Sequence, residues 1–407
     1  MSQSLPESID VAVIGGGQAG LAASWHLTAR GREHVVIDRG EIGDTWRHRW
    51  DAFHLVTPNW QLQLPGDEYS GDEPDAFLPR DEVVARINAW AGRFRPPFVG
   101  GTEVSSVDPE PDEGFAVRTS TGRLRARRVI VAAGTYHRPK LPAGDGLPAG
   151  VLNLVATDYR SAGSLHAGAV LVVGTGQSGV QIAEDLHRAG RVVHLAAGRA
   201  GRAPRRHRGA DIMTWIQRAG LYDQPITEHP MGEMVRFRTH PHACGAHGGH
   251  SIDLRAFGRD GIRLHGHVTG IDGSRVRFAD DLTTLLAAAD ESAATFQRLF
   301  DEVAERDGYA VTDEVDQPVA WEPPPGPLEL DLAAEGIATV IWASGFEIDF
   351  GWIHAPIQGT KGYPTVDRGF TTVPGLAFVG LHWMHTWKSG LLYGVGKDAQ
   401  YVVDRLD

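Results

Sequence analysis

Two stretches of glycine at matching spacing are the residues in this chain best placed to do chemistry. Gly15-Gly16-Gly17-Gln18-Ala19-Gly20 follows the apolar run Val11 to Ile14, and Gly174-Thr175-Gly176-Gln177-Ser178-Gly179 follows Val170 to Val173. Each reads G-x-G-x-x-G. In such a loop the first glycine makes a tight turn and the second lets the backbone approach a pyrophosphate. The third lets a helix pack closely on the strand, so that phosphates meet the positive end of the helix. One copy is a weak signal. Two copies, each between an apolar run and a helical pattern, predict two dinucleotide sites on one chain.

The residues downstream differ, and with them the expected ligands. Val35-Val36-Ile37 ends in Asp38, about where an acidic side chain accepts a ribose hydroxyl. Val192-Val193-His194-Leu195 leads instead to Gly198-Arg199 and then Arg202, Arg205, Arg206 and Arg208, with no acid in that loop. Guanidinium groups bind a ribose phosphate through forked, charge-assisted hydrogen bonds, whereas a carboxylate repels one. The first site therefore suits FAD and the second NADPH, with Arg199, helped by a neighbour such as Arg205, on the 2′-phosphate. A solvated basic turn is the other reading of these arginines.

The elements that must hold these loops are read from periodicity. Helical patterns run Leu21 to Ala29 and Val180 to Ala189, and Gly31 and Gly190 can end them in the left-handed conformation. Asp81 to Gly92 predicts another helix, and Val104 to Val107, Phe115 to Thr119 and Leu124 to Arg128 predict a small strand meander. The next run ends in Ala132-Ala133-Gly134, and a similar one ends in Ala343-Ser344-Gly345; small residues suit a backbone that meets a cofactor. The longest helical pattern, Leu282 to Arg306, either packs on its own domain, covers a substrate site or forms a homodimer face.

Composition sets outer limits. A chain of 407 residues with 42% hydrophobic and 22% charged residues suits one or two ordinary globular domains. A net charge of −12 argues against nucleic-acid and anionic-membrane binding. No run approaches a membrane span, and Met1 to Asp10 does not read as a signal peptide. Cys244 is the only cysteine, so an intrachain disulfide or C-x-x-C redox pair is impossible, which fits a reducing cytoplasm.

Three further stretches carry unusual side chains. Trp46, Trp50 and Trp60 lie in a loop rich in aromatics and arginines that either fills the core or walls a planar ring system. Trp383, His385 and Trp387, near the other end, either line an aromatic substrate pocket or fill the core. His240, His242, Cys244, His247 and His250 have a composition that can bind zinc or copper. Pro241, Gly245, Gly248 and Gly249 make that stretch a loop, read here as lying beside nicotinamide or substrate; no metal is expected.

The double glycine loop, with Gly43-Asp44-Thr45-Trp46-Arg47, Thr57-Pro58 and Leu64-Pro65-Gly66, resembles the flavin-containing monooxygenase superfamily. The resemblance is to bacterial single-chain flavoproteins related to plant indole-3-pyruvate monooxygenases, and it covers nearly the whole chain. It implies an α/β fold of two Rossmann-like dinucleotide-binding domains, with the NADPH domain (161–335) inserted in the FAD domain (1–160 and 336–407). It places Gly15, Gly17, Gln18, Ala19, Gly20, Asp38 and Arg39 on FAD, with Thr45, Trp46 and Arg47 along the flavin and its ribityl-phosphate tail. Val104, Ala133, Gly134 and Gly345, and Gly390-Leu391 in the T-x-x-S-G-L-L pattern, join the cofactor-binding set. There the final helix is expected to start beside the flavin pyrimidine, where a helix N-terminus stabilises negative charge. Gly174, Gly176, Gln177, Ser178, Gly179, Arg199 and Arg205 fall to NADPH.

The implied activity is NADPH-dependent flavin reduction, addition of O2 as a C4a-(hydro)peroxyflavin, and oxygenation of a small-molecule substrate. An oxidase or dehydrogenase that releases peroxide, and a non-catalytic nucleotide sensor, are the alternatives. The chain departs from the family's F-x-G-x-x-x-H-S-x-x-Y stretch: Asp158-Tyr159-Arg160 matches its end, but Val155 stands at the histidine position. That departure counts against Baeyer–Villiger chemistry in particular.

Overall fold

A computed structural model describes residues 4–111, 114–142 and 146–406. The apolar run before the first glycine loop forms the strand Ser8–Ile14, and the loop opens the helix Gln18–Ala29. The second copy repeats this as Ala169–Val173 and Gln177–Arg188. Gly31 and Gly190 take φ of +64° and +79°, the left-handed stop expected of them.

Each strand sits inside a parallel sheet. In the first sheet Ser8–Ile14 lies between His34–Ile37 and Gly122–Val131, with Phe98–Val99 at one edge. The sequence divides Gly122–Val131 into a meander strand and a separate apolar run, but it is one continuous strand with two partners. Its early residues pair antiparallel with Phe115–Thr119, and its later ones pair parallel with Ser8–Ile14 and Leu376–Phe378. The meander is therefore an extension of the first sheet.

The second sheet has the parallel order Leu152–Val155, Ile337–Trp342, Ala169–Val173, Val193–Ala196, Arg263–His265. The expected boundaries set 152–155 and 337–342 with the first domain, whereas both strands belong to the second sheet. Val340 and Ile341 are wholly buried between two neighbouring strands, a position that an apolar strand reaches only inside the sheet. The chain crosses between the lobes twice, and the crossings pair side by side: Arg138–Pro139 lies antiparallel to Phe346–Glu347. Val155, at the family's histidine position, is a sheet residue paired with Trp342.

The fingerprint remnant does join the lobes. Tyr159 is fully buried and donates its hydroxyl to Asp185 Oδ2 at 2.5 Å, on the helix Gln177–Arg188. Arg160 donates to His48 O at 2.7 Å and accepts from Asp51 N, in the tryptophan-rich loop.

The long helix forms as Leu282–Asp307 and packs on its own lobe. Phe300 stacks on Trp215, with ring centroids 5.8 Å apart and planes 15° apart. Among the described residues, no helix is long and apolar enough to cross a membrane.

Candidate functional site

The two glycine loops are built alike. Gly15 and Gly174 take φ of +107° and +105°, which only glycine adopts readily. A Cβ on Gly20 would overlap the carbonyl oxygen of Gly15, and one on Gly179 that of Gly174, so helix and turn pack as closely as the motif requires. The middle glycines differ from these. A Cβ on Gly17 would meet only Thr45 Oγ1 at 3.8 Å, and one on Gly176 only Ala343 O at 3.8 Å. The space is kept open for something other than protein. Neither helix has a side-chain cap or an acid in its first turn, so the first-turn amides of Gln18, Ala19 and Gly20, and of Gln177, Ser178 and Gly179, are left for an anion.

Asp38 ends the second strand, where the sequence places it, and braces the first loop. Its Oδ2 accepts from Gly16 N at 2.5 Å and its Oδ1 from Gly40 N at 2.7 Å. Arg39 and Thr45 are exposed nearby, Arg47 pairs with Asp44, and Val104 begins the outer meander strand. Trp46 is half-buried, and its Nε1 is enclosed without an acceptor. Ala133 is exposed, while Gly134 and Gly345, with φ of +74° and +87°, face open space just past the strands Gly122–Val131 and Ile337–Trp342. An open cradle, an uncapped helix, a carboxylate at the strand end and an orphaned indole N–H fit FAD.

The basic turn after the second loop resolves into one free arginine. Arg199 is exposed and has no partner among the described residues. Arg205, expected to assist it, is buried and held by partners within the chain. It is 1% exposed, donates to Asp211 Oδ2 at 2.8 Å and to Val56 O at 2.7 Å, and lies over the Phe77 ring. A guanidinium removed from water needs partners where it lies, and here Nε and Nη1 have them while Nη2 is buried without one. Arg202 pairs with Asp316 at 2.7 Å, Arg206 donates to Gly248 and Gly249 carbonyls, and Arg208 pairs with Asp301. The second cradle, with Arg199 three residues beyond the strand Val193–Ala196, fits a pyridine nucleotide.

A loop lies over each cradle. Gln18 Nε2 donates to Gly390 O at 2.8 Å, which ties the first helix to the C-terminal loop. Gln177 holds Ala243 at both ends, donating to its carbonyl and accepting from its amide at 3.1 Å, while His242 Nε2 contacts Thr175 O. The histidine-rich stretch therefore covers the second glycine loop.

The C-terminal loop differs from expectation in one respect. Residues Trp387–Gly390 form a short 3-10 turn boxed by Thr386 and Ser389, and the last helix begins later, at Val395. Leu391 closes that turn, its amide on Lys388 O. Trp383 stacks on Trp387 at 5.8 Å and Trp387 on His240 at 5.7 Å, which brings two of the pocket candidates together. No ring contact among the described residues joins Trp46 to them; Trp46 neighbours Phe53 instead. His385 is half-buried outside the stack, and its amide bonds to Ser389 Oγ.

Sequence reasoning missed the pair behind this stack. His240 Nε2 lies 2.5 Å from His382 Nε2, so one ring donates and the other accepts. Loss of water pushes His240 down to about 3, with His382 adding to the effect, and burial pushes His382 down to about 4. Both are neutral at ordinary pH. The only local signal was the position of His382 two residues after Gly380, whose own Cβ direction points into Ala19 of the first helix.

With the two cradles in view, the likeness to known proteins is specific. Residues 12–221 match the family described as pyridine nucleotide-disulphide oxidoreductase. The chain belongs to this family. An uncharacterized CzcO-like oxidoreductase of Geobacillus kaustophilus is 30% identical over 401 residues, covering 97% of each chain. Indole-3-pyruvate monooxygenase YUCCA1 of rice is 32% identical over 185 residues, 44% of this chain and 45% of that one. A flavin-containing monooxygenase from Stenotrophomonas maltophilia has the same fold, with a TM-score of 0.65 and 20% identity over 98% of both chains. The protein is thus a flavin-dependent pyridine-nucleotide oxidoreductase, and its fold is that of a flavin-containing monooxygenase.

Proposed function

We propose that the protein is a single-component monooxygenase that uses NADPH, FAD and O2 to oxygenate a small organic substrate. The observation that carries this reading is the pairing of two equivalent open cradles on one chain, one braced by Asp38 and the other followed by the free Arg199. The single buried Cys244 leaves no dithiol partner for disulphide chemistry within the chain, and the rice relative's name supports oxygenation.

When bound, the two cofactors supply hydride transfer and oxygen activation; the chain supplies position and dryness. Gly17 and the first-turn amides hold one pyrophosphate, Gly176 and its helix the other, and Arg199 selects the phosphorylated coenzyme. The Trp383, Trp387 and His240 stack excludes water beside the C-terminal turn, and the neutral His240–His382 pair holds a single proton between its two Nε2 atoms. The decisive experiment measures NADPH oxidation, oxygenated product and peroxide across amine, sulfide and carbonyl substrates. Oxygenated product in proportion to NADPH is expected. Peroxide in that proportion with every substrate turns the assignment to an oxidase, and absence of NADPH turnover turns it to a sensor.

A further inference from the structure

One group of donor atoms, Glu184, Cys244 and His250, belongs to neither glycine loop. Along one face of the helix Gln177–Arg188, Gln177, Gln181 and Glu184 follow each other at helical spacing, and each touches the covering loop. Gln177 holds Ala243, Gln181 Nε2 lies 3.8 Å from Cys244 Sγ, and Glu184 Oε1 lies 2.7 Å from His250 Nε2. Glu184 Oε2 is also 3.9 Å from Cys244 Sγ. The candidate ligand atoms of Glu184, Cys244 and His250 all lie within 4.8 Å of one another.

We propose that Glu184, Cys244 and His250 form a binding site for a zinc-like divalent cation that clamps the histidine-rich loop onto the helix of the second dinucleotide cradle. Thiolate, imidazole and carboxylate are together the donor set of zinc, a borderline-soft ion. Tetrahedral zinc holds such atoms about 3.3–3.6 Å apart, so the three need shift by only about an ångström or less.

Two further observations point to a ligand. Gln181 Oε1 is buried beside the cluster with no donor, although its residue is only 6% exposed. A metal-bound water would supply that hydrogen bond. His247 stands at the rim of the same small cavity, with its ring centroid 6.3 Å from that of His250 and its backbone in the left-handed region at φ +54°. It can complete four-coordination by rotating inward; otherwise a water does. Arg188, 3.3 Å from Glu184 Oε1, competes with a cation, but its side chain is 52% exposed and free to swing into solvent. On binding, the Cys244 thiol gives its proton to solvent, the thiolate, an unprotonated nitrogen of His250 and a Glu184 oxygen each donate a lone pair, and no oxidation occurs. Burial and neighbouring Glu184 push that thiol up to about 11, so the proton must be displaced by the metal itself.

The test is cobalt titration of the chelator-treated, flavin-loaded protein, read at wavelengths beyond flavin absorption. A single Co2+ per chain with the intense ligand-field bands of a tetrahedral site is expected, displaced by Zn2+. Cys244→Ser and His250→Gln should each weaken binding at least about tenfold while flavin content and melting temperature hold. Should either variant fail to fold, Glu184→Gln preserves a hydrogen bond to His250 and serves as the comparison. Absence of such bands in the parent protein, or equal bands in a folded ligand variant, overturns the site.

Discussion

Gln18 and Gln177 occupy the same position in the two glycine motifs, and each donates its side-chain amide to the backbone carbonyl of the loop covering its own cradle, Gly390 in one case and Ala243 in the other. The duplication therefore extends beyond the nucleotide-binding turns to the way each site is roofed. The two latches differ in strength: Gln18 contributes one hydrogen bond and Gln177 two. At about 1 kcal/mol net per bond, Gln177→Ala should raise local opening of residues 240–250 roughly thirtyfold, and Gln18→Ala that of residues 388–391 roughly fivefold. Amide hydrogen exchange reads both. Equal, diffuse increases across the chain would mean that neither glutamine acts as a latch.

Glycines within one motif should fail in different ways. Gly17 has φ of −73° and an open Cβ direction, so Gly17→Leu costs the fold little and occupies the space left for pyrophosphate. The variant should melt like flavin-free parent protein and purify nearly colourless. Gly20→Ala forces a methyl group into Gly15 O and should destabilise the fold by about 3 kcal/mol whether flavin is present or not. Full flavin occupancy in folded Gly17→Leu would remove the cradle assignment.

What could be read from the sequence was local. Glycine spacing, helix periodicity and the two left-handed stops involve neighbours in the chain, and they are found where expected. The errors lie in contacts that periodicity does not encode. Arg205 reads as a surface cation because nothing nearby reveals that Val56, 149 positions away, accepts from it. The Gly122–Val131 strand reads as two because its outer half pairs antiparallel and its inner half parallel. Trp46 reads equally as core or as the wall of a ring system, and only its ring contact with Phe53 shows what it packs against. His240 and His382 meet across 142 positions, and no sequence spacing predicts such a pair.

The two arginines of the basic turn should give opposing phenotypes. On the proposed assignment, Arg199→Ala loses a charged hydrogen bond to the 2′-phosphate, worth about 1.5–3 kcal/mol, and should raise KM for NADPH roughly tenfold or more with little effect on NADH. Arg205→Ala strands buried Asp211, whose pKa burial already raises, and should cost about 3–5 kcal/mol of stability without changing coenzyme preference. Steady-state kinetics with both coenzymes and a melting curve separate the two. A change of preference in Arg205→Ala would return that residue to the coenzyme site.

Acid stability follows from a second histidine pair. His194 Nδ1 lies 3.0 Å from His265 Nε2, with the rings stacked 5.3 Å apart, and Phe278 covers His265 at 4.5 Å. Burial, with Arg263 beside His194 and His194 beside His265, pushes both rings down to about 4, while Glu335 near His194 opposes the shift at His265. An unfolded chain protonates these rings near pH 6.5, so above that pH neither state carries the extra protons and the pair contributes no pH dependence. Between about pH 6.5 and pH 4 the unfolded chain takes up protons that the folded protein excludes, and stability falls as the pH falls, by up to about 1.4 kcal/mol per unit for each histidine. The loss levels off once the pH drops below the folded-state value. His194→Gln removes one titrating ring from the pair and relieves the other of a like charge. Urea unfolding at several pH values in this window should show a shallower acid decline in the variant than in the parent. His240, His242 and His382 also titrate low, and they contribute equally to both proteins. Parallel declines would place the His194 proton uptake outside the folding equilibrium.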